Sequence, residues 1–173
     1  RELGKKYLIN HSAGAGKTLT IAWMADMLDS LYTSDNEKVF DNIIILTDRQ
    51  SLDKNVKDDL EKFSHLSHKL NFAKRSRHLA EYLEKDRDII VTTIHKFSHI
   101  QDRLQNEDIL KNRKVAFLID EVHRSNDGKM ALTMRKYFNE DSTSTDDEDE
   151  QDEQELSALN ISNQVFVGFT ATT

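Results

Sequence analysis

The strongest constraint on the fold is a set of short apolar runs, at residues 7–10, 42–47, 88–93, 115–120 and 165–170, separated by longer segments of helical pattern. Most of these runs are continuous in Ile, Val, Leu and Phe and do not alternate with polar residues. That is how strands read when helices cover both faces of their sheet. Strands interleaved with helices predict an α/β domain with a mainly parallel sheet. The helices are expected at residues 17–31, 51–63, 76–85, 96–105 and 128–139. The first carries apolar side chains around much of its circumference (Leu19, Ala22, Trp23, Met24, Met27, Leu28, Leu31), so it is expected to be buried against the sheet. Trp23 and the methionines are assigned to the core.

A chain of 173 residues suits one domain with a real core. It has no cysteine, which excludes a disulfide scaffold and a thiolate zinc site and is compatible with a reducing, cytoplasmic compartment. The longest strictly aliphatic stretch, Ile43 to Leu46, is far below the roughly 18 to 20 apolar residues of a membrane-spanning helix. The chain therefore reads as soluble, with no membrane partner. It starts without Met and stops just after a strand-like run, which suggests a piece of a longer polypeptide.

The formal charge of −7 is unevenly spread, because residues 140–155 hold ten of the 31 acids and no base. The rest of the chain has 24 bases against 21 acids, so the acidic total does not exclude a nucleic-acid partner. The tract at residues 141–155 has almost no apolar side chain to offset ordering entropy. A disordered insertion spanning about residues 140–158 is expected there.

Two stretches carry chemistry. In YLINHSAGAGKTLT an apolar strand passes through Ser12, Ala13, Gly14, Ala15 and Gly16 into Lys17, Thr18 and an apolar helix, the context a phosphate-binding loop requires. Glycines let successive N–H groups approach the phosphates, and the helix N-terminus adds positive potential. Lys17 is suited to β- and γ-phosphates, and the Thr18 hydroxyl to Mg²⁺. The second stretch, VAFLIDEVHRS, ends an aliphatic strand in Asp120, Glu121 and His123. Ligands of open α/β sheets sit at the carboxyl ends of strands. Asp120 suits Mg²⁺, a hard cation that takes oxygen ligands, and Glu121 suits orienting the water in phosphoryl transfer.

Taken in order, these segments resemble the first RecA-like motor domain of superfamily 2 helicases and translocases. GAGKT resembles motif I, DEVH the DExH form of motif II, and the terminal GFTAT motif III. TDRQSLDKNV resembles motif Ia, and VTTIHKF a further nucleic-acid motif. More narrowly, HSAGAGKT, the TDRQSLD run, TTIHKF, DEVHRS and VGFTAT resemble the motor subunit of type I restriction enzymes. The chain departs from the pattern at His11, where a glycine is usual outside the restriction subunits, at Asn55 for Gln and at Thr173 for Pro.

The resemblance implies a RecA-like P-loop NTPase domain across residues 1–173, with the strand leading to Thr170 lying between the P-loop strand and the Asp120 strand. It implies ATP and Mg²⁺ as cofactors, and His123, Thr170 and Thr172 as links from nucleotide state to DNA. Asp48, Arg49, Thr92, Thr93 and Lys96 would meet the nucleic-acid backbone. Hydroxyls, a lysine and strand-end N–H groups suit phosphate contacts that carry no sequence information.

The implied partners are duplex DNA, a second RecA-like domain that supplies arginine fingers, and the methyltransferase and specificity subunits of a restriction system. Arginine fingers contribute about 10³ to 10⁵ in rate, so little turnover is expected from this segment alone. Its nuclease site is expected elsewhere. A nucleotide-dependent protein switch and an RNA helicase or remodeller motor are the competing readings. Neither the histidine pairs His65/His68 and His95/His99 nor the basic group Lys74, Arg75, Arg77 and His78 is assigned a role, although the basic group could touch DNA.

Overall fold

The computed structural model describes residues 6–12, 16–47, 66–85, 88–94, 96–97, 113–120 and 163–172. Six strands and two helices lie within them: β1 (Lys6–Ser12), α1 (Lys17–Asp29), β2 (Asn42–Thr47), β3 (Leu70–Phe72), α2 (Ser76–Glu84), β4 (Ile89–Thr93), β5 (Val115–Asp120) and β6 (Gln164–Thr172). All strand pairs are parallel, in the order β1-β6-β5-β2-β4-β3. β6 therefore lies between β1 and β5, as the resemblance implies.

Strand side chains alternate between the faces, and each face has its own core. Ile43 and Ile45 of β2, Ile89 and Val91 of β4, Ala116 and Leu118 of β5, and Phe169 of β6 pack with Ile21, Ala22 and Ala25 of α1. On the other face Ile44, Leu46, Ile90, Phe117, Ile119 and Phe166 pack with Leu79, Ala80 and Leu83 of α2 and with Phe97. Phe117 stacks on Phe166 at 4.8 Å between centroids and meets Phe97 edge-on at 5.5 Å. Coverage on both faces explains why β2, β4 and β5 are buried along their whole length.

The first helix corrects one expectation. Trp23, Met27 and Leu19 are 65%, 69% and 55% exposed, a stripe one helical turn apart on the side away from the sheet. Met24, Leu28 and Leu31 only pack against the core's margin. The buried positions Ile21, Ala22 and Ala25 include two alanines, small enough to let the helix settle over the sheet. A helix that is apolar on nearly every side gives no periodicity from which to tell its inner face.

At the amino edge of the sheet, buried Asp29 at the end of α1 accepts hydrogen bonds from Lys38 Nζ at 3.0 Å and Lys69 Nζ at 2.6 Å. Lys38 also reaches Asp88 at 2.9 Å, just before β4. This group of four joins α1, the following loop and the entries to β3 and β4. Burial works against the charge of Asp29, but the hydrogen bonds from Lys69 and Lys38 outweigh it and hold its pKa below 3.8. For Lys38, too, burial opposes the charge, and the hydrogen bonds to Asp88 and Asp29 overcome it and raise its pKa.

The expected helix at residues 51–63, the one at 128–139, and the acidic insertion lie outside the described residues, as does most of the one at 96–105. Among the described residues no helix is long and apolar enough to cross a membrane.

Candidate nucleotide site

The site begins where β1 turns into α1. Gly16, the N-cap residue, has φ 77° and ψ 32°, in the left-handed region. A Cβ added there would meet Leu19 at an ordinary 3.9 Å, so backbone conformation and not crowding selects glycine. Its carbonyl accepts the first helical hydrogen bond, from the N–H of Thr20 at 3.1 Å. Gly16→Ala is expected to destabilise the chain by about 1 to 2 kcal/mol, the usual penalty for an L-residue in this conformation. A denaturation midpoint equal to that of the parent sequence would show that the turn relaxes.

Lys17 and Thr18 follow at the start of α1, both partly buried. The Lys17 ammonium lies 2.8 Å from Asp120 Oδ1, with the two side chains 18% and 8% exposed. Residues 103 positions apart thus meet across β6, the one strand between β1 and β5. The pairing of these two side chains was not foreseen from the sequence; only their convergence on one sheet edge was. In register, Ser12 lies beside Thr172, Asn10 beside Thr170 and Asp120 beside Phe169, so β1 and β6 end level and β5 ends three residues before them, all at one edge of the sheet. Thr170 is buried on the central strand of the three.

Two strands over, β4 ends in Thr92 and Thr93, both buried. The Thr93 hydroxyl accepts the Lys96 N–H at 3.3 Å and caps a short helical turn. Thr92 Oγ1 has no hydrogen-bond partner among the described residues, while its carbonyl accepts the Thr47 hydroxyl at 3.5 Å. Strand alternation places these two side chains on opposite faces of β4. Lys96 is partly exposed.

Ala13, Gly14, Ala15, Asp48, Arg49, Glu121 and His123 lie outside the described residues, as do His65, His95 and His99. Ser12 and Thr172 are placed by backbone alone.

An ammonium just after β1 and a carboxylate at the end of β5, on either side of β6 and beside an uncapped helix N-terminus, suit a bound anion and its counter-cation. The model of the SWI2/SNF2 ATPase family matches residues 2–144. The chain belongs to the SWI2/SNF2 ATPase family. It is 37% identical over 131 residues to an endonuclease subunit of a type I restriction enzyme from Staphylococcus saprophyticus, which covers 75% of this chain and 13% of that protein. A type I restriction endonuclease subunit from Staphylococcus aureus is 33% identical over 138 residues, covering 79% of this chain and 14% of that protein. This SWI2/SNF2 ATPase chain thus spans about one-seventh of the length of these relatives. The crystal structure of the Hef helicase domain of Pyrococcus furiosus shares the fold, with a TM-score of 0.50 at 15% identity over 99% of this chain and 30% of that one.

Proposed function

We propose that the chain is the ATP-binding half of an ATP-dependent duplex DNA translocase motor, of the kind carried by the endonuclease subunit of a type I restriction enzyme. The observation that carries this reading is the 2.8 Å pair between Lys17 and Asp120, which brings the two nucleotide motifs to one point on the sheet edge. Family membership supports ATP as the nucleotide.

The residues present fit ATP with Mg²⁺. Gly16 opens the turn that lets backbone N–H groups of residues 12–16 approach phosphates. Lys17, released from Asp120, binds and orients the β- and γ-phosphates. The Thr18 hydroxyl and the Asp120 carboxylate are the oxygen donors that would hold Mg²⁺, a cation that neutralises charge on the phosphates. Glu121 follows Asp120 directly and orients the attacking water. His123, Thr170 and Thr172 carry the nucleotide state towards DNA. Asp48, Arg49 and Lys96 hold the phosphate backbone, with the strand ends of Thr92 and Thr93 contributing through their main chain. A second RecA-like domain, and methyltransferase and specificity subunits, complete the machine in this reading.

Phosphate release by the full-length protein, with and without linear duplex DNA, tests it. Strong stimulation by DNA is expected, and Glu121→Gln should retain ATP but not turn it over. Turnover indifferent to duplex DNA would refute the motor reading, and wild-type turnover by Glu121→Gln would remove the role given to Glu121. The isolated chain is expected to bind nucleotide and hydrolyse it hardly at all.

A further inference from the structure

The basic group that the nucleotide site leaves unused lies between β3 and the first turn of α2. β3 ends at Phe72, and the segment that follows is tied to the neighbouring strand by the hydrogen bond from Ala73 N–H to the Val91 carbonyl at 2.9 Å. Because β3 is parallel to the rest of the sheet, Lys74 and Arg75 leave it at the carboxyl edge, the edge that also carries Lys17, Asp120 and Lys96. Lys74, Arg75 and Arg77 are all exposed, and no ion pair joins them to an acid among the described residues.

The opposite edge is built differently. There Lys38 and Lys69 are each matched to Asp29, and Lys38 also to Asp88. Lys38 and Lys69 are neutralised within the fold; the cations leaving β3 have no such partner among the described residues.

The start of α2 reinforces the difference. Arg75 is its N-cap residue, no side chain caps its free N–H groups, and its first turn contains no acid. A helix N-terminus favours negative charge, so placing three cations around it works against the helix. Glu81 and Glu84 lie further along, towards the other end. A local electrostatic conflict of this kind is characteristic of a functional surface, relieved when an anion arrives. The cations flank the strand that leads to Lys96, and their spread along an exposed loop and helix start suits an extended polyanion better than a single small anion.

We infer that Lys74, Arg75 and Arg77 form a docking surface for the phosphate backbone of duplex DNA, extending the track that begins at Lys96 by one strand. This rests on the DNA-motor reading of the preceding section. Contacts of this type hold DNA in place without reading its sequence.

The test is fluorescence anisotropy with a labelled duplex of arbitrary sequence, titrated with the chain over a series of salt concentrations. The variant is Lys74→Gln/Arg75→Gln/Arg77→Gln; the control, Lys85→Gln/Lys114→Gln, removes exposed charges from the amino edge. Each lost phosphate contact should flatten the plot of log affinity against log salt by about 0.9, so the triple variant should flatten it by roughly 2 to 3. Affinity at low salt should fall at least about tenfold for every duplex sequence, while the control binds as the unmodified chain does. Nucleotide binding and thermal stability of the triple variant should not fall, whereas a merely structural role would lower the stability.

An unchanged slope in the triple variant, or an equal loss in the control, would overturn the inference and leave the motor reading standing. No binding of duplex DNA by the unmodified chain at low salt would overturn both.

Discussion

Lys17→Ala is expected to reduce ATP affinity by about 30-fold or more, read by calorimetry or by displacement of a fluorescent nucleotide. Truncating one partner of a hydrogen-bonded charge pair costs about 2 to 5 kcal/mol, and each 1.4 kcal/mol is tenfold in affinity. The ammonium is well placed for that loss: it is 18% exposed, at the start of a helix whose N-terminal N–H groups favour the same anion. The companion variant Asp120→Asn separates the two halves of the pair. Without nucleotide, Asp120 lies 2.8 Å from Lys17, so the asparagine variant removes one carboxylate that competes with phosphate for the ammonium. Affinity measured without Mg²⁺ should therefore hold or rise, while the gain on adding Mg²⁺ should disappear. Equal losses in both variants, with and without Mg²⁺, would mean that the pair supports the fold and not the ligand.

The sheet was legible because its signal is repeated and physical. β2, β4 and β5 were visible as unbroken apolar runs, and they are the strands buried on both faces. β3 was missed. With three residues, Leu70 to Phe72, all only partly buried at the sheet's edge, it has too short a run to stand out from a loop. Helix α1 was seen, but its orientation was not. Trp23 and Met27 were placed in the core by hydrophobicity alone, whereas packing selected the side with Ala22 and Ala25.

The site divides in the same way. Gly16, Lys17, Thr18 and Asp120 stood out as candidates because phosphate chemistry demands those residue types in a fixed local context, and the fold brings Lys17 and Asp120 together. The burial of Thr92 and Thr93 was not, because it depends on what covers each face of β4. The amino-edge ion-pair group had no sequence signature at all. Asp29, Lys38, Lys69 and Asp88 are separated by 9, 40 and 50 residues along the bonded pairs, and only the folded sheet brings them together.

Asp29→Ala should be the most destabilising substitution at that edge. An acid in the last turn of a helix faces the negative end of its dipole, and Asp29 is also 5% exposed, so two effects oppose its charge. It is retained in ionised form by Lys38 and Lys69, and those two lysines would lose their shared partner. Removing one member of a buried ion pair costs about 3 to 5 kcal/mol. Because the two ammonium groups are 32% and 28% exposed and regain some hydration, the lower end, about 3 kcal/mol, is expected. The effect should also depend on pH with a definite sign. The native pKa of Asp29 lies below its unfolded value of 3.8, so its contribution is full above that value. It is lost as pH falls from there through the native pKa, because the unfolded state then binds the proton first. Urea unfolding at neutral pH and at successively lower pH should show the gap between the parent sequence and Asp29→Ala narrowing on acidification. A gap that is constant with pH would assign the loss to packing alone, and a gap that widens would contradict the ionised state of Asp29 in the native fold.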